Sequence, residues 1–253
     1  MSPKPSISAV VITLNEGEII TSFLQQLDFV DEVILVDSHS TDQTVSLAKR
    51  FDNVRVFSRD FDDFSSQKNF ALDQVSQQWV LLFDPDEVIT AEAKKEILDA
   101  VARPRAEAYF IRRQLYFMGK KIRFSGFQTD WVIRLGRTEL CRYNGRLVHE
   151  TISVDGTTAR LKSRIPHHTY KSFSDYLAKL DRYSTLQAQM AFEAKKKVHL
   201  GHFIWRPFYR FWHQYLIRLG ILDGLEGWIL ASINAQSVFK RYVKLFLMYR
   251  QMP

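Results

Sequence analysis

The stretch Trp79-Val80-Leu81-Leu82-Phe83-Asp84-Pro85-Asp86-Glu87 decides how this chain is interpreted. Its first five residues are apolar, as in a strand buried on both faces, and three carboxylates follow within four positions. Three like charges so close together are unfavourable unless a cation or a cationic ligand occupies the site. Hard oxygen ligands suit Mg²⁺ or Mn²⁺, which in turn bridge substrate phosphates. The alternative is a solvated turn in which Asp86 or Glu87 favours the N-terminus of the next helix.

The first hundred residues alternate short apolar runs with stretches of helical spacing. The predicted strands are Ile7–Thr13, Glu32–Asp37, Val54–Ser58 and Trp79–Asp84. The predicted helices are Glu18–Asp28, Asp42–Arg50, Ser65–Gln74 and Ala91–Ala102, the last with Thr90 as its N-cap. Four consecutive βα units predict an α/β fold with a parallel, Rossmann-like sheet. Ligands of such sheets bind beyond the carboxyl ends of the strands.

Polar side chains follow the first two predicted strands as well. Thr13, Asn15 and Glu16 end the first strand, and Asp37 ends the second, where Ser40 and Thr41 follow it. Capping of the next helix by Ser40 or Thr41 is one explanation, but it leaves Asp37 unexplained. Three polar strand ends at one edge of the sheet therefore predict a crevice of nucleotide size.

The middle and the tail of the chain have different patterns. Short strands with turns, predicted at Ala108–Arg112, Trp131–Leu135 and Arg146–Val154, extend the sheet into a mixed one. From Ser174 to about Lys197 a helix is predicted, and the remaining residues are aromatic, basic and mainly helical. We therefore expect a catalytic domain over residues 1–170 and a helical extension over residues 171–253.

The positive charge of the chain belongs to its tail. The chain has 253 residues and a formal net charge of +7, and the segment from Lys195 onward carries ten Lys and Arg residues against two acids. Aromatic and aliphatic side chains alternate there with arginines, as in a helix that lies on an anionic membrane surface. Packing of these side chains onto the catalytic domain or a second subunit is the alternative. The oligomeric state stays open.

Other function classes find less support. The longest uncharged stretch of the tail, Gly227–Phe239, is too short and too polar to span a bilayer. Zinc spacing and RNA-binding motifs are absent from the sequence, so we expect no nucleic-acid partner. The first residues lack the apolar core and cleavage site of a secretory signal, and the single Cys141 cannot form an internal disulfide. We therefore expect a cytoplasmic protein.

Six strings of the sequence together resemble a known family. The first four are Val11-Ile12-Thr13-Leu14-Asn15-Glu16, Val36-Asp37-Ser38-His39-Ser40-Thr41-Asp42, Gln67-Lys68-Asn69-Phe70-Ala71 and Phe83-Asp84-Pro85-Asp86-Glu87. They resemble, in order and spacing, the motifs of family 2 inverting glycosyltransferases of the GT-A fold. The other two are Val148-His149-Glu150 and Leu219-Gly220-Ile221-Leu222-Asp223-Gly224-Leu225-Glu226-Gly227. With them, the chain is most similar to the lipopolysaccharide core β-1,4-glucosyltransferase group.

This resemblance implies a set of roles for the donor site. It implies that Thr13, Asn15 and Glu16 line the nucleotide pocket and that Asp37 contacts the base. It implies that Lys68 and Asn69 help to close the pocket. The contacts to the ribose, the metal and the diphosphate are then made by Asp84 and Asp86. The implied metal is Mg²⁺ or Mn²⁺, held by Asp84 and Asp86. His39 and Gln43 stand where family members often carry glycine, so the second loop differs in shape.

The resemblance also implies a mechanism and a substrate. An acceptor hydroxyl displaces the nucleoside diphosphate directly, and a carboxylate, for which we choose Glu150, takes its proton. His149 is an alternative base or metal ligand, whereas His167 and His168 receive no role. The resemblance favours UDP-glucose as the donor and a heptose-containing lipopolysaccharide core as the acceptor, at the cytoplasmic face of the inner membrane.

Two rival functions remain at this point. A phosphatase of the haloacid dehalogenase type also has an apolar strand followed by Asp84 and Asp86, although that strand normally opens its fold. The second rival is a non-catalytic protein of the same fold that binds sugars or lipids. Arg123, Arg134 and Trp131 are candidate phosphate or sugar contacts, but surface arginine and core tryptophan are the simpler interpretations.

Overall fold

The computed structural model describes residues 6–145, 151–167 and 172–252. Two compact units form. One contains the chain up to Arg113 together with Trp131–His167, and the other contains Gln114–Asp130 and the residues after His167. One boundary, between residues 170 and 171, is predicted from the sequence. The structure in addition groups residues 114–130 with the C-terminal helices.

Strands and helices alternate over the first hundred residues, further strands come next, and three long helices follow. The strands are β1 (Ile7–Thr13), β2 (Glu32–Asp37), β3 (Val54–Ser58), β4 (Trp79–Leu81), β5 (Ala108–Phe117), β6 (Lys120–Lys121), β7 (Trp131–Arg137), β8 (Cys141–Tyr143), β9 (Ile152–Val154) and β10 (Thr158–His167). The helices are α1 (Ile20–Gln26), α2 (Thr44–Ala48), α3 (Phe64–Asp73), α4 (Ala91–Ala102), α5 (Phe173–Glu193), α6 (Leu200–Trp212) and α7 (Leu225–Tyr249).

The central sheet is mixed. Its strand order is β10–β5–β7–β4–β1–β2–β3, and β8 and β9 form a separate antiparallel ribbon. Strands β4, β1, β2 and β3 are parallel, whereas β7 runs antiparallel to both β4 and β5. The predicted α/β class, with a Rossmann-like mixed sheet flanked by helices and a helical C-terminal region, is confirmed.

Alternating side chains of the strands build a core on each face of the sheet. Ala9 and Val11 of β1 join the core that α1, α2 and α4 cover. Val10 joins the opposite core, which α3 and the β8–β9 ribbon cover. Both faces are buried, so the central strands read as continuous apolar runs in the sequence.

The predicted elements agree best where the apolar pattern is strongest. The bounds of β1, β2, β3 and α4 are as predicted, and the Thr90 side chain accepts the Ala93 N–H as the N-cap. Strand β4 ends at Leu81, three residues earlier than expected, and β5 continues to Phe117 instead of ending at Arg112. Of the predicted strand at residues 146–154, residues 146–150 lie outside the described residues.

The C-terminal unit has a core of its own. It consists of Leu115, Phe117, Ile122, Tyr176, Leu230 and Ile233. Helix α5 ends at Glu193, before the predicted Lys197, and Lys195 follows with a positive φ of 52°. Among the described helices, none combines the length and the apolar composition needed to cross a membrane.

The segment Leu219–Gly227, singled out by the resemblance, is a close-packed turn of this unit. A Cβ added to Gly227 would lie 1.9 Å from the carbonyl oxygen of Gly220, so only glycine fits there. The Asp223 carboxylate accepts hydrogen bonds from the N–H groups of Arg123 and Phe124 and from the Ser125 hydroxyl. This motif therefore holds residues 123–125 in place.

Candidate functional site

The carboxyl ends of β1 and β2 lie side by side. Thr13 pairs with Asp37 in the parallel register, and the Thr13 hydroxyl donates to Asp37 Oδ1 at 3.1 Å. The other oxygen, Asp37 Oδ2, accepts the Ser40 N–H at 2.8 Å. Asp37 is 1% exposed, so its carboxylate both ends β2 and fixes the loop that follows. Ser40 therefore hydrogen-bonds Asp37 instead of capping helix α2. That helix begins after Gln43, whose side chain makes no capping hydrogen bond.

The loop after β1 is tied to the loop after β2. Asn15, at φ 55°, donates its N–H to the Ser40 hydroxyl and accepts the Thr41 N–H at 2.9 Å. The Glu16 N–H donates to the Thr44 hydroxyl at 2.8 Å. These cross-links bring the predicted donor residues of both strands into one rim, as the topology predicts.

Asp84 lies between two cations. Its Oδ1 is 3.1 Å from Lys68 Nζ, and its Oδ2 is 2.7 Å from an Arg134 guanidinium nitrogen. Burial raises the pKa of Asp84, but the charges of Lys68 and Arg134 outweigh burial and hold that pKa well below its usual range. Asp84 is therefore ionised throughout the physiological pH range.

Glu87 joins Lys68, Asp84 and Arg134 in a group of charges that we call the acidic cluster. Its Oε1 is 2.6 Å from Arg134 and its Oε2 accepts the Asp84 N–H at 3.2 Å, while Arg113 stands 3.9 Å away. Burial raises the pKa of Glu87, and the neighbouring Asp84 charge adds to that rise against the attraction of Arg134. Arg134 is 4% exposed, so the cluster is a buried ion network rather than a solvated turn.

Asp86 turns away from this network toward β10. Its Oδ2 is 3.1 Å from His167 Nε2, and the backbones of Glu87 and His167 form an antiparallel bridge. The side chain of Asp86 is 30% exposed. Carboxylate oxygen and imidazole nitrogen are both metal donors, so the pair offers two donor atoms to a divalent ion. Within residues 6–145, 151–167 and 172–252, three or more His, Cys, Asp or Glu side chains do not gather as a metal site.

Lys68 and Asn69 both contact Tyr143. Lys68 Nζ lies 5.3 Å from the centre of the Tyr143 ring. The Asn69 side chain donates to the Tyr143 carbonyl and accepts its N–H, at 3.1 and 2.9 Å. Asn69 therefore anchors strand β8 with both groups of its amide, and Lys68 alone of the two reaches the acidic cluster.

Sequence reasoning missed the buried ion pairing of Arg134 and any role for His167. Arg134 was a candidate phosphate contact with surface arginine as the simpler interpretation, and the structure buries it. A single charge inside the apolar run of β7 was the available signal, since such a charge needs a buried partner. His167 carries no local motif, and only the sheet topology brings it to Asp86. Glu150, His149 and His168 lie outside the described residues.

A model of glycosyl transferase family 2 matches residues 8–158 of this chain. The chain belongs to that family. The protein is therefore a glycosyltransferase, which sets aside the phosphatase alternative. The matched range contains the strand ends, the acidic cluster and Arg134.

Relatives of similar length support this assignment. The chain is 27% identical to the lipopolysaccharide core biosynthesis glycosyltransferase LpsC of Rhizobium meliloti (strain 1021), over 96% of this chain and 95% of that protein. It is also 27% identical to an uncharacterized glycosyltransferase of Rickettsia felis, over 94% and 89%. Family 2 membership, predicted from the motifs, is confirmed.

A solved structure shares the fold. S. aureus TarS 1–349 in complex with UDP-GlcNAc superimposes with a TM-score of 0.53, at 16% identity, over 98% of this chain and 92% of that one. At this identity the likeness concerns the fold alone, and it confirms the predicted GT-A architecture.

Proposed function

We propose that this glycosyltransferase moves glucose from UDP-glucose to a hydroxyl of a lipid-linked glycan, in the heptose region of a lipopolysaccharide core. The observation that carries the proposal is the cross-linked rim at the ends of β1 and β2, next to strand β4 and the Lys68–Asp84 ion pair that follows it, in a family 2 chain. The likeness to LpsC supports the acceptor class, and the solved complex of TarS with UDP-GlcNAc supports a UDP-sugar donor.

In this proposal, Thr13, Asn15, Glu16 and Asp37 line the nucleotide pocket. The Thr13–Asp37 hydrogen bond, and the bonds of Asn15 and Glu16 to the loop and helix after β2, hold the rim in one shape before the donor arrives, which lowers the ordering cost of binding. Asn69 supports the pocket indirectly through Tyr143. Lys68 closes the pocket, and its ammonium group, which lies beside Asp84, supplies a positive charge for the donor's diphosphate.

A divalent metal fits beside Asp86. The donor set of Asp86 and His167 mixes oxygen and nitrogen, which suits Mn²⁺ better than the strictly oxygen-seeking Mg²⁺. Asp84 stays a predicted ligand, although a metal there competes with Lys68 and Arg134 for the same carboxylate. When bound, such an ion offsets the charge that develops on the departing diphosphate.

Glu150 is the proposed general base, on the strength of the family resemblance. It takes the proton of the acceptor hydroxyl as that oxygen attacks the anomeric carbon, and the configuration inverts because one displacement occurs. No covalent intermediate with the protein is needed.

Donor binding is tested by calorimetric titration with a panel of nucleotide sugars, with Mn²⁺ present and then removed by a chelator. We expect metal-dependent binding of UDP-glucose that Asp86→Ala and His167→Ala abolish. Asp52→Ala, which removes an exposed carboxylate elsewhere in the same unit, should bind as the wild type does. Binding that needs no metal and survives Asp86→Ala would contradict the metal assignment.

The base is tested separately with Glu150→Gln. This variant should bind the donor with unchanged affinity and transfer about a hundredfold or more slowly. An unchanged transfer rate would eliminate Glu150 as the base. Intact biological activity of this variant would favour the non-catalytic alternative.

The same proposal puts the enzyme on the cytoplasmic face of the inner membrane as a peripheral protein. Helix α6 supports it with an exposed apolar face, formed by Leu200, Ile204, Trp205, Phe208, Tyr209 and Trp212. The opposite side of the helix packs inward, where Phe203 meets Phe239 and Phe246 of α7. Exposed basic residues lie near the apolar face in the sequence: Lys195, Lys196, Lys197 and Arg206. This composition suits an anionic lipid surface.

Vesicle sedimentation tests this attachment. Phosphatidylcholine vesicles containing phosphatidylglycerol should bind the wild type, and Trp205→Ser with Phe208→Ser should weaken binding at least about tenfold, since each ring contributes roughly 1.5–3 kcal/mol when buried. Phe61→Ser removes an exposed ring of the first unit and serves as the control. If the double variant instead dissociates a dimer and leaves vesicle binding unchanged, a second copy covers this face.

A further inference from the structure

Two arginines pack against Trp131 in the first unit. The guanidinium carbon of Arg160 lies 4.8 Å from the centre of the indole ring, and that of Arg112 lies 5.4 Å from it. Arg112 and Trp131 are direct partners across β5 and β7, so their side chains leave the same face of the sheet. The ring is half-buried, and Arg160 is exposed.

Arg164 adds a third positive charge to this group. Burial lowers the pKa of Arg112, and the positive charge of Arg164 lowers it further. Arg164 lies four residues after Arg160 on β10, so both side chains project from one face of that strand. Like charges gathered on the two neighbouring strands β5 and β10 raise the local affinity for an anion.

This arginine cluster stands at the edge of the candidate site. The Leu82 N–H donates to the Arg134 carbonyl, and Trp131 lies three residues before Arg134 at the start of β7. Because β7 runs antiparallel to β4, Trp131 at the start of β7 lies beyond the carboxyl end of β4. Arg113, the neighbour of Arg112, approaches Glu87 at 3.9 Å.

We propose that Arg112, Arg160 and Arg164 form an acceptor subsite for an anionic group, a phosphate ester or a carboxylate, carried by the acceptor glycan near its reactive hydroxyl. This inference rests on the proposed transfer to a glycan. Guanidinium groups suit the task because their planar forks bind phosphate and carboxylate oxygens in pairs. The strands fix the backbone of each arginine, and the Trp131 ring packs against the guanidinium groups of Arg112 and Arg160 and so orients them.

Two acceptors that differ by one ester group test the subsite. Transfer is measured to methyl heptoside and to its phosphate monoester, with the wild type and with Arg160→Gln/Arg164→Gln. We expect the wild type to prefer the ester, and the double variant to raise KM for the ester about tenfold, as loss of a charge-assisted contact does. KM for the neutral heptoside and the affinity for UDP-glucose should not change.

The control replaces an exposed arginine outside the cluster. Arg105→Gln lies in the same unit and should leave the preference for the ester intact. The inference is overturned if the double variant loses affinity for UDP-glucose instead, because the cluster would then serve the donor. It is also overturned if the variant loses binding to phosphatidylglycerol vesicles while its preference for the ester stays unchanged.

A binding measurement separates this inference from the proposed function. Saturation-transfer NMR compares glucose 6-phosphate with glucose on the wild type, the double variant and Arg105→Gln. If transfer to heptosides is not found, an arginine-dependent preference for the phosphate still supports the subsite. Equal binding of the two sugars by the wild type, with no preference in transfer, refutes it.

Discussion

Folded proteins usually bury apolar side chains and expose charged ones. The acidic cluster of the first unit breaks this rule with buried charges, and helix α6 of the second unit breaks it with exposed rings. The cluster buries the charges of Arg134 and Glu87, whereas α6 exposes the rings of Trp205 and Phe208. Buried charges are tolerated only with close partners, and exposed apolar faces of this size usually mark interaction surfaces. The fold's stability therefore depends on the first region, and we expect membrane binding to depend on the second.

The difference shows how to interpret each kind of exception. Within the cluster, the ionic contacts are 2.6–3.1 Å long, so removing one member leaves a partner charge stranded in the protein. On α6, the outer rings contact the solvent in this structure, and removing one should leave the fold intact. Four changes to the protein can sharpen or break this contrast.

The largest effect is expected for Arg134→Met. It leaves Asp84 and Glu87 next to each other without their shared cation, which should lower the free energy of unfolding by about 3–5 kcal/mol. Urea unfolding followed by circular dichroism measures the change. Arg55→Met, which breaks a half-exposed pair with Glu32, should cost only about 0–1 kcal/mol. Equal costs for the two variants would break the comparison.

Asp223→Asn extends the test to a carboxylate that has backbone donors. The substitution weakens the hydrogen bonds to residues 123–125 and should cost about 1–3 kcal/mol in the same unfolding measurement. Glu226→Gln, at a partly exposed ion pair with Lys120, is the control and should cost under about 1 kcal/mol. If Asp223→Asn is neutral, the turn around Gly220 and Gly227 holds itself by packing alone.

Helix α6 gives a comparison within one element. Phe203→Ala removes the ring that meets Phe239 and Phe246, and because the ring is half-buried the cost should be about 1–2 kcal/mol. Phe208→Ala, on the exposed side, should change stability by no more than about 0.5 kcal/mol. A larger loss for Phe208→Ala would mean that the outer face is part of the fold.

The smallest effect concerns the pH dependence of stability. The pKa of Asp84 is lowered in the folded protein, so its stabilising effect is complete above the unfolded pKa of about 3.9 and is lost as pH falls through the lower, folded pKa. The stability difference between the wild type and Asp84→Asn should narrow as the pH falls from about 4 toward 3. A difference that widens in acid would contradict the low pKa of Asp84.

The sequence predicts the sheet better than it predicts the partners of the charges. Strands β1 and β2 are apolar runs with polar ends, β3 alternates apolar residues with Arg55, and the bounds of all three follow from local pattern alone. The pairing of Arg134 with Asp84 joins residues fifty positions apart, and no local pattern records such a distance. The contact of His167 with Asp86 likewise depends on strand order.

Helix α2 shows a limit of another kind. The spacing of apolar residues predicts it over residues 42–50, but it spans only Thr44–Ala48. Asp42 is used instead to accept the N–H groups of Gly17 and Thr44, which keeps it outside the helix. A side chain that hydrogen-bonds a loop can keep its residue out of the neighbouring helix, and helix propensities do not account for this competition.

The hydrogen bonds of Asn69 also constrain the order in which the chain can mature on the ribosome. Both groups of its amide bind the backbone of Tyr143, which is synthesised 74 residues later. Strand β4 likewise lies between β1, already made, and β7, made some fifty residues afterwards. The early βα units therefore leave the ribosome with an unfinished sheet edge, and their final packing waits for the emergence of β7 and β8.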